Sequence, residues 1–435
     1  MFPEVDGVAC QRVLDTAEVS FEIVRVGADT LGPALAAEAG RGFDLTVETP
    51  LRARLFELDS STRILLLVLH HIAGDGWSMA PLARDVLAAY AARSRGVAPG
   101  FVPLPVQYAD YAVWQRELLG SESDPGSLVS AQVAFWRSRL AGLPEELALP
   151  FDRPRPAVAS HRGDTVRLEV SREVHRGLLK LAREANATVF MVVQAGLAAL
   201  LTRLGAGSDV PIGSVVAGRV DEALDDLVGM FVNTLVLRTD TSGNPAFREL
   251  VGRVREVDLA AYGHQDLPFE RLVEIVAPAR SMARHPLFQV MLAFQNNPVP
   301  ALELDELSVS VEPFIPDTAK FDLQLTLAER PGGGLEGGLE FSLDLFDRVT
   351  VEEMVVRFGR LLESVVADPG VRLSEIDLLG PVEREVILGE WAGTGTASAP
   401  STIVEEFEAQ VAASPGAVAV VCEGVEVSYG ELDAR

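Results

Sequence analysis

Residues 63–76 read RILLLVLHHIAGDG, and this stretch carries the clearest structural signal in the chain. The apolar run from Ile64 to Leu69 is far too short to span a bilayer and predicts a buried strand. Gly74 and Gly76 then predict a loop, and apolar residues at helical spacing predict a helix over 79–92. Polar side chains at the mouth of a buried strand are well placed for chemistry, because the strand fixes them while the loop gives access.

The rest of the chain predicts an α/β layered fold in two subdomains. Segment 149–156 contains three prolines, which predicts an irregular crossing and a boundary near residue 155, giving subdomains 1–155 and 156–380. Helical spacing is found in both subdomains, over 107–119, 128–140, 173–186, 188–204, 245–262 and 351–367. Strand patterns follow in the second, at 165–170, 210–216, 235–239, 321–327 and 335–345.

The C-terminal part of the sequence predicts a linker and a second domain. Residues 391–401 are rich in Gly, Thr, Ala, Ser and Pro, and we predict a linker over 381–400. The chain then resumes with an amphipathic helix and a strand-like segment before it ends at Arg435. So short a segment cannot build a core, so 401–435 is expected to be the truncated beginning of a further domain.

Composition excludes several classes of function. The formal net charge is −26 and no basic run occurs, which argues against nucleic acid as a partner. Cys10 and Cys422 are the only cysteines, and they give neither a disulfide framework nor metal-ligand spacing. The N-terminus has no signal-peptide pattern, so we expect a cytoplasmic protein that does not enter a membrane.

The adjacent His70 and His71, with Asp75 and Gly76 a few residues later, allow more than one interpretation. A histidine pair at a strand end can satisfy buried hydrogen bonds, or it can carry out acid–base chemistry. Metal binding is not favoured, because no third His, Cys or carboxylate lies at a recognisable ligand spacing.

Segment 70–76 resembles the HHxxxDG signature of the condensation domains of non-ribosomal peptide synthetases, relatives of chloramphenicol acetyltransferase. Four more segments resemble motifs of this family in the right order: 108–115 (YxDYAVWQ), 228–234 (GxFVNT), 264–270 (HQDxPFE) and 280–287 (RxxxRxPL). The resemblance implies two chloramphenicol-acetyltransferase-like subdomains that form a V-shaped pseudo-dimer with a central channel. It also implies that the N-terminal subdomain lacks its start, and that 427–432 (VSYGEL) opens an adenylation domain.

For the activity, the resemblance implies peptide bond formation between two thioesters carried on the phosphopantetheine arms of upstream and downstream peptidyl carrier domains. The arms belong to the carriers, so no cofactor is expected to be bound by this chain. The catalytic segment would be His70, His71, Asp75 and Gly76. His71 would act either as general base or as a hydrogen-bonding stabiliser of the intermediate, and an imidazole with a pKa of about 6.5 suits proton transfer at neutral pH.

The resemblance further implies a structural ion pair between Asp75 and an arginine, with Arg219 as the candidate and Arg284 as the alternative. Gly76 would allow close approach of the backbone to substrate or a positive φ, or would be a turn glycine only. Trp77 would line the acceptor channel or belong to the core, and Asn233 would reach the substrate or only bond backbone. For His264 and His285 we expect packing or subdomain-bridging roles.

Two other functions stay open from the sequence. Epimerisation and heterocyclisation relatives share much of the architecture, but heterocyclisation units replace the histidines with aspartates, and epimerases carry a different tail after the histidine motif. The second alternative is a non-catalytic docking platform for carriers. The intact His70, His71 and Asp75 favour the condensing enzyme, with two L-configured residues as the expected substrates.

Overall fold

The computed structural model describes residues 1–279, 281–295, 303–304, 307–311, 317–392, 402–422 and 424–435. Within these ranges the strands are β1 (Glu4–Val5), β2 (Val8–Ala9), β3 (Ser20–Arg25), β4 (Leu51–Glu57), β5 (Arg63–Leu69), β6 (Gly163–Val170), β7 (Asp209–Val216), β8 (Asn233–Asp240), β9 (Val290–Gln295), β10 (Glu303–Leu304), β11 (Leu307–Ser308), β12 (Leu323–Glu329), β13 (Leu335–Ser342), β14 (Val418–Cys422) and β15 (Val425–Ser428).

The α-helices of the same ranges are α1 (Ala28–Ala39), α2 (Met79–Ser94), α3 (Tyr108–Leu119), α4 (Leu128–Arg139), α5 (Arg172–Glu184), α6 (Val189–Arg203), α7 (Phe247–Tyr262), α8 (Phe269–Val276), α9 (Arg348–Ala367), α10 (Pro381–Glu385), α11 (Ile403–Ala413) and α12 (Tyr429–Asp433). Short 3₁₀ turns lie at His71–Ala73, Glu222–Leu224 and Leu373–Glu375, and a π-helical segment lies at Val386–Trp391.

The chain divides into two compact units, Met1–Leu378 and Leu379–Arg435. The second unit contains the hairpin β14–β15 and the helices α10, α11 and α12, of which α12 contacts both the hairpin and α11. Part of the predicted linker 381–400 is helical here, and its residues 393–400 lie outside the described ones.

Two larger sheets form the first unit. The N-terminal sheet has the order β3-β4-β5, with β3 parallel and β5 antiparallel to β4. The second sheet has six strands in the order β6-β13-β12-β9-β7-β8 and is mixed, because β9 runs parallel to both β12 and β7. The predicted boundary near residue 155 falls in the stretch of chain between these two sheets.

Helices cover both faces of the six-stranded sheet. On β9, Val290 and Leu292 belong to the core that contains α5, α6, α7 and α9, whereas Met291 between them packs in a cluster with α4 and α8. This alternation is the period-two pattern of a strand buried on both sides. Because α4 packs against β8, part of the sequence before residue 155 contributes to the core of the second sheet.

The proline-rich segment 149–156 forms no helix or strand, as its sequence predicts. Arg155 fixes this segment, because its guanidinium bonds both carboxylate oxygens of the buried Asp322 and the carbonyl oxygen of Ala283. A third acceptor is the carboxylate of Glu146, 2.6 Å from Arg155 Nε. Planar bidentate pairing of this kind holds an irregular backbone in one position.

Among the described residues, no single helix has both the length and the apolar composition needed to cross a membrane. The α5–α6 pair meets that criterion only when its two helices are taken together, and they are bent by 104°.

A buried carboxyl group in the core of the second sheet gives a prediction for stability. Asp258 on α7 is fully buried; its Oδ1 accepts a hydrogen bond from Gln194 Nε2 at 3.0 Å, while its Oδ2 has no partner among the described residues. Burial raises the pKa of Asp258 to about 7, against the smaller opposing effect of the Gln194 hydrogen bond. Between about pH 4 and pH 7 the unfolded chain therefore releases a proton that the folded chain keeps.

The contribution of Asp258 to the free energy of unfolding should thus fall as pH rises through this window, by up to about 4 kcal/mol. Asp258→Asn should remove this contribution, because the amide can pair with Gln194 without ionising, so the stability of the variant relative to the parent should rise across the same window. Urea denaturation at pH 4.5, 6 and 7.5 measures this, with exposed Asp15→Asn as the control. Equal pH slopes in parent and Asp258→Asn would contradict the prediction.

Candidate active site

The two histidines at the end of β5 have different environments. His70 is half-buried, its Nδ1 accepts a hydrogen bond from Ile72 N at 3.1 Å, and its ring meets Phe43 edge-on at 5.8 Å. It thereby caps the 3₁₀ turn that starts at His71. His71 is exposed, and its imidazole makes no hydrogen bond within the described part of the chain. The strand and turn therefore hold His70 in the fold and leave His71 available.

His71 lines a cavity of about 430 Å³. The cavity walls come from four parts of the chain: the turn with His71 and Ile72, helix α3, the segment 218–234 that follows β7 and includes the first two residues of β8, and the segment 265–270 that leads into α8. Their lining residues are Tyr108, Tyr111, Trp114, Gln115, Leu118, Gly218, Val220, Met230, Phe231, Val232, Asn233, Thr234, Gln265, Asp266, Pro268, Phe269 and Glu270. The motifs that the sequence analysis singled out at 108–115, 228–234 and 264–270 thus meet around His71.

Asp75 forms a buried ion pair with Arg219. Its Oδ1 is 3.3 Å from Nη2 of Arg219, and the two side chains are 0% and 4% exposed. Asp75 Oδ2 accepts a hydrogen bond from Phe231 N at 3.0 Å, and the Arg219 guanidinium lies over the Phe231 ring at 4.2 Å. Arg219 also donates to the carbonyl oxygens of Leu224 and Leu227. The carboxylate thus joins the histidine loop to both ends of 219–231.

Arg284, the alternative partner, is engaged elsewhere. Its guanidinium pairs with Glu145 at 3.0 Å and with Glu146 at 3.5 Å. Its motif also includes residue 280, which lies outside the described residues. The geometry therefore places Arg219, and not Arg284, beside Asp75.

Ser78 is a buried hub that the sequence analysis missed. Its side chain is fully buried, and its Oγ lies 2.8 Å from Asp75 Oδ1, 3.1 Å from Arg219 Nη2, and 3.1 and 2.8 Å from the backbone N and O of Gly229. A serine just before a helix predicts an N-cap, but here the side chain makes no cap to α2. Only the fold reveals its partners, which lie up to 151 residues away.

Gly229 allows helix α3 to approach the segment before β8. A Cβ at Gly229 would lie 2.4 Å from Cδ2 of Tyr108, which is too close for any other residue without movement. The Tyr108 hydroxyl donates to the carbonyl oxygen of Met230 at 2.7 Å. Burial and, secondarily, the charge of Asp75 raise the pKa of Tyr108, so that it remains a hydroxyl donor.

Gly76 and Trp77, the other residues predicted in the histidine segment, are not among the described residues that line the cavity. Gly76 is exposed and its φ is not positive, so the positive-φ interpretation of this glycine is wrong; its carbonyl accepts from Met79 N at 3.3 Å in a turn. Trp77 is half-buried and, among the described residues, is not one of those that line the His71 cavity.

Asn233 lines the cavity, but its amide is fully engaged with backbone. Its Nδ2 donates to the carbonyl oxygens of Gln265 and Leu267, each at 2.8 Å. Its Oδ1 accepts from Phe269 N at 3.0 Å and from Thr234 N at 2.9 Å. Of the two predicted alternatives, these contacts favour the backbone-binding role.

Gln132 on α4 also holds the loop before α8, and sequence reasoning missed it. Its side chain is fully buried, its Nε2 donates to Asp266 Oδ2 at 2.6 Å, and its Oε1 accepts from the backbone N of Asp266 and Leu267. Trp136 Nε1 also donates to the His264 carbonyl at 2.8 Å. The loop before α8 is therefore fixed by neutral side chains of α4 and β8.

His264 and His285 both pack against aromatic rings. The His264 ring stacks on Phe135 at 3.7 Å, and its Nδ1 is 2.8 Å from the carbonyl oxygen of Ala260. His285 packs against Phe269, Phe288 and Phe321, and burial lowers the pKa of His285 to about 4. His285 is thus a neutral packing residue at physiological pH.

The chemistry that this arrangement can carry out is proton transfer at one open imidazole. His71 faces a cavity whose walls are fixed by hydrogen bonds to backbone, while the neighbouring ionised groups Asp75 and Arg219 neutralise each other. Among the described residues there is no group of three or more His, Cys, Asp or Glu side chains that could hold a metal ion.

The Asp75–Arg219 pair gives a prediction for stability. Asp75→Ala should leave the buried Arg219 charge without a counter-charge and lower the free energy of unfolding by roughly 3–5 kcal/mol. Urea denaturation measures this, and Asp226→Ala is the control, because its ion pair with Arg84 is more than half exposed and should contribute at most about 1 kcal/mol. An Asp75→Ala protein as stable as the parent but inactive would show instead that the carboxylate takes part in chemistry.

Comparison with known proteins identifies one family. A family model described as a condensation domain matches residues 1–388. The chain is 50% identical over 442 residues to a dimodular nonribosomal peptide synthase of Bacillus subtilis. The aligned region covers all of this chain and 19% of that protein. This chain spans less than a fifth of the length of such curated relatives.

Solved structures show the same fold. The X-domain from teicoplanin biosynthesis, solved in complex with OxyB, is 40% identical with a TM-score of 0.81, over 87% of this chain and 84% of that one. The first condensation domain of the calcium-dependent antibiotic synthetase is 21% identical with a TM-score of 0.68, over 87% and 83%, a likeness of fold alone. The mixed α/β fold predicted from the sequence is therefore confirmed, and it agrees with an arrangement in two chloramphenicol-acetyltransferase-like lobes.

Proposed function

The chain belongs to the condensation-domain family of nonribosomal peptide synthetases, and on this premise we propose that it forms peptide bonds. The donor would be an aminoacyl or peptidyl thioester, and the acceptor the amine of an aminoacyl thioester. Each is carried on the phosphopantetheine arm of a carrier domain. The observation that carries this proposal is the exposed imidazole of His71, which has no hydrogen bond in the described part of the chain and lines a 430 Å³ cavity.

The reaction needs one group that accepts a proton. The neutral amine attacks the thioester carbonyl carbon, a C–N bond forms, and the nitrogen loses a proton to His71. The tetrahedral intermediate then breaks its C–S bond, and the departing thiolate takes up the proton that His71 accepted, which restores the neutral imidazole. The unpaired imidazole suits the role of general base, which accepts this proton. Its alternative role is to stabilise the intermediate through a hydrogen bond. Alignment of the two tethered substrates supplies much of the remaining acceleration.

The other residues of the segment act by positioning His71. In this proposal His70 caps the turn, Asp75 and Arg219 fix the loop against segment 219–231, and Gly76 takes part in the turn. Asn233 keeps the loop before α8 in place as a wall of the substrate cavity. Trp77 has no substrate contact in this assignment.

We extend the proposal to partners and location. Upstream and downstream peptidyl carrier domains supply the phosphopantetheine arms, and an adjacent adenylation domain supplies the amino acid. Residues 427–432 resemble the opening motif of such an adenylation domain. Multidomain relatives support such partners. The division into 1–155, 156–380, a linker over 381–400 and 401–435 remains part of this proposal, as does a cytoplasmic location.

A second candidate function is a non-catalytic platform that binds other proteins of the assembly. The observation that favours it is the 40% identical X-domain, which was solved in complex with a second protein. The two functions differ in whether the chain itself produces an amide bond.

The test supplies the chain with donor and acceptor aminoacyl carrier proteins and follows the dipeptidyl thioester by mass spectrometry. His71→Ala should lower the rate by on the order of 10²–10⁴, because the proton acceptor is lost. His161→Ala is the control, since this histidine is exposed and outside the cavity.

A folded parent protein that forms no dipeptidyl thioester would move the platform function ahead. A donor thioester whose α-carbon configuration is inverted, without an amide product, would instead indicate an epimerisation-type relative. A His71→Ala rate equal to that of the parent would remove His71 from the mechanism.

A further inference from the structure

The polar side chains of the His71 cavity differ in whether a hydrogen-bond donor remains free. The Tyr108 hydroxyl donates to the carbonyl oxygen of Met230, so its hydrogen is engaged. Both amide hydrogens of Asn233 are engaged by the carbonyl oxygens of Gln265 and Leu267. These groups can shape the cavity but have no donor left for a substrate.

Tyr111 is the contrasting case. It lines the same cavity and is only 8% exposed, and its Oη accepts a hydrogen bond from Gln115 Nε2 at 3.1 Å. The hydroxyl hydrogen of Tyr111 has no acceptor among the described residues. Burial raises the pKa of Tyr111 to about 12, with smaller contributions from Tyr108 and Asp266, so the side chain remains a neutral donor over the working pH range.

Packing fixes the position of this donor. The Tyr111 ring lies 4.7 Å from Phe231, 5.8 Å from Tyr108 and 6.0 Å from Trp114, measured between ring centroids. Its backbone belongs to α3, whose Tyr108 is bonded to Met230. A donor held in a low-dielectric cavity before the reaction stabilises developing negative charge without reorganising.

We propose that Tyr111 is a further catalytic residue, whose hydroxyl donates a hydrogen bond to the thioester carbonyl oxygen as the tetrahedral intermediate forms. This inference rests on the proposed peptide-bond-forming function. As the amine nitrogen attacks, the carbonyl π pair moves to oxygen, and the oxyanion accepts the Tyr111 hydrogen bond while the amine proton goes to His71. When the C–O double bond reforms, the C–S bond breaks and the sulfur leaves with the electron pair. The thiolate then takes the proton from His71, and the amide carbonyl releases Tyr111.

Tyr111→Phe tests this directly, because it removes one hydroxyl and keeps the ring that packs on Phe231. We expect kcat for dipeptidyl thioester formation to fall on the order of 10²-fold or more, with KM for the two carrier proteins within about threefold of the parent. Tyr90→Phe is the matched control, since this tyrosine is half exposed on α2 and outside the cavity. It should leave kcat unchanged.

A binding measurement separates catalysis from structure. Two pantetheine-linked analogues are compared, one with a tetrahedral phosphonate in place of the reacting carbonyl and one with a planar amide. Tyr111→Phe should lower the affinity for the phosphonate analogue by about the same factor as it lowers kcat/KM. The affinity for the amide analogue should stay within about threefold of the parent, because the hydrogen bond belongs to the transition state. The ratio of the two affinities does not depend on the fraction of folded protein.

The inference is overturned if Tyr111→Phe keeps kcat within about threefold of the parent, or if both analogues weaken equally. A parent that forms no dipeptidyl thioester contradicts the proposed function, and the affinity ratio of the two analogues then still decides whether Tyr111 recognises a tetrahedral oxyanion.

Discussion

The buried ion pair between Asp75 and Arg219 joins parts of the chain that lie 144 residues apart, and the arrangement around His71 depends on it. Because the two charged side chains are 0% and 4% exposed, water cannot solvate them, and each charge requires the other as its counter-charge. Ser78 and the backbone of Phe231 complete the coordination of the carboxylate. The loop after β5 therefore has one stable position relative to the segment that leads into β8.

The part of the cavity wall formed by the loop before α8 is held by neutral side chains instead of an ion pair. Gln132 and Asn233 hold the loop before α8 through neutral amides that bond mainly to backbone groups. Because α4 contributes Gln132 and Trp136 from before residue 155, while β8 and the loop come from after it, the cavity is assembled across the predicted subdomain boundary. The substrate cavity is thus a product of tertiary packing and not of one contiguous motif.

Local patterns in the sequence were sufficient for most of the secondary structure after residue 62, whereas β3, α1 and β4 were not predicted. The helix predicted over 128–140 is found at Leu128–Arg139, and the strand predicted over 64–69 at Arg63–Leu69, because apolar periodicity and capping residues act over a few positions. Long-range partners could not be predicted in this way. Ser78 bonds Gly229 across 151 residues, Gln132 bonds Asp266 across 134, and the two alternatives for Asn233 could be separated only by its contacts with 265–269.

The hydrogen bond from Ile72 N to His70 Nδ1 has a consequence for the chemical difference between the two neighbouring histidines. An accepting Nδ1 requires His70 to be the neutral tautomer with its hydrogen on Nε2. The same ring nitrogen therefore cannot also serve a substrate, because its lone pair caps the turn that presents His71. Of the two adjacent imidazoles, one is thus occupied by the backbone, while the other lines the cavity and makes no hydrogen bond in the described part of the chain.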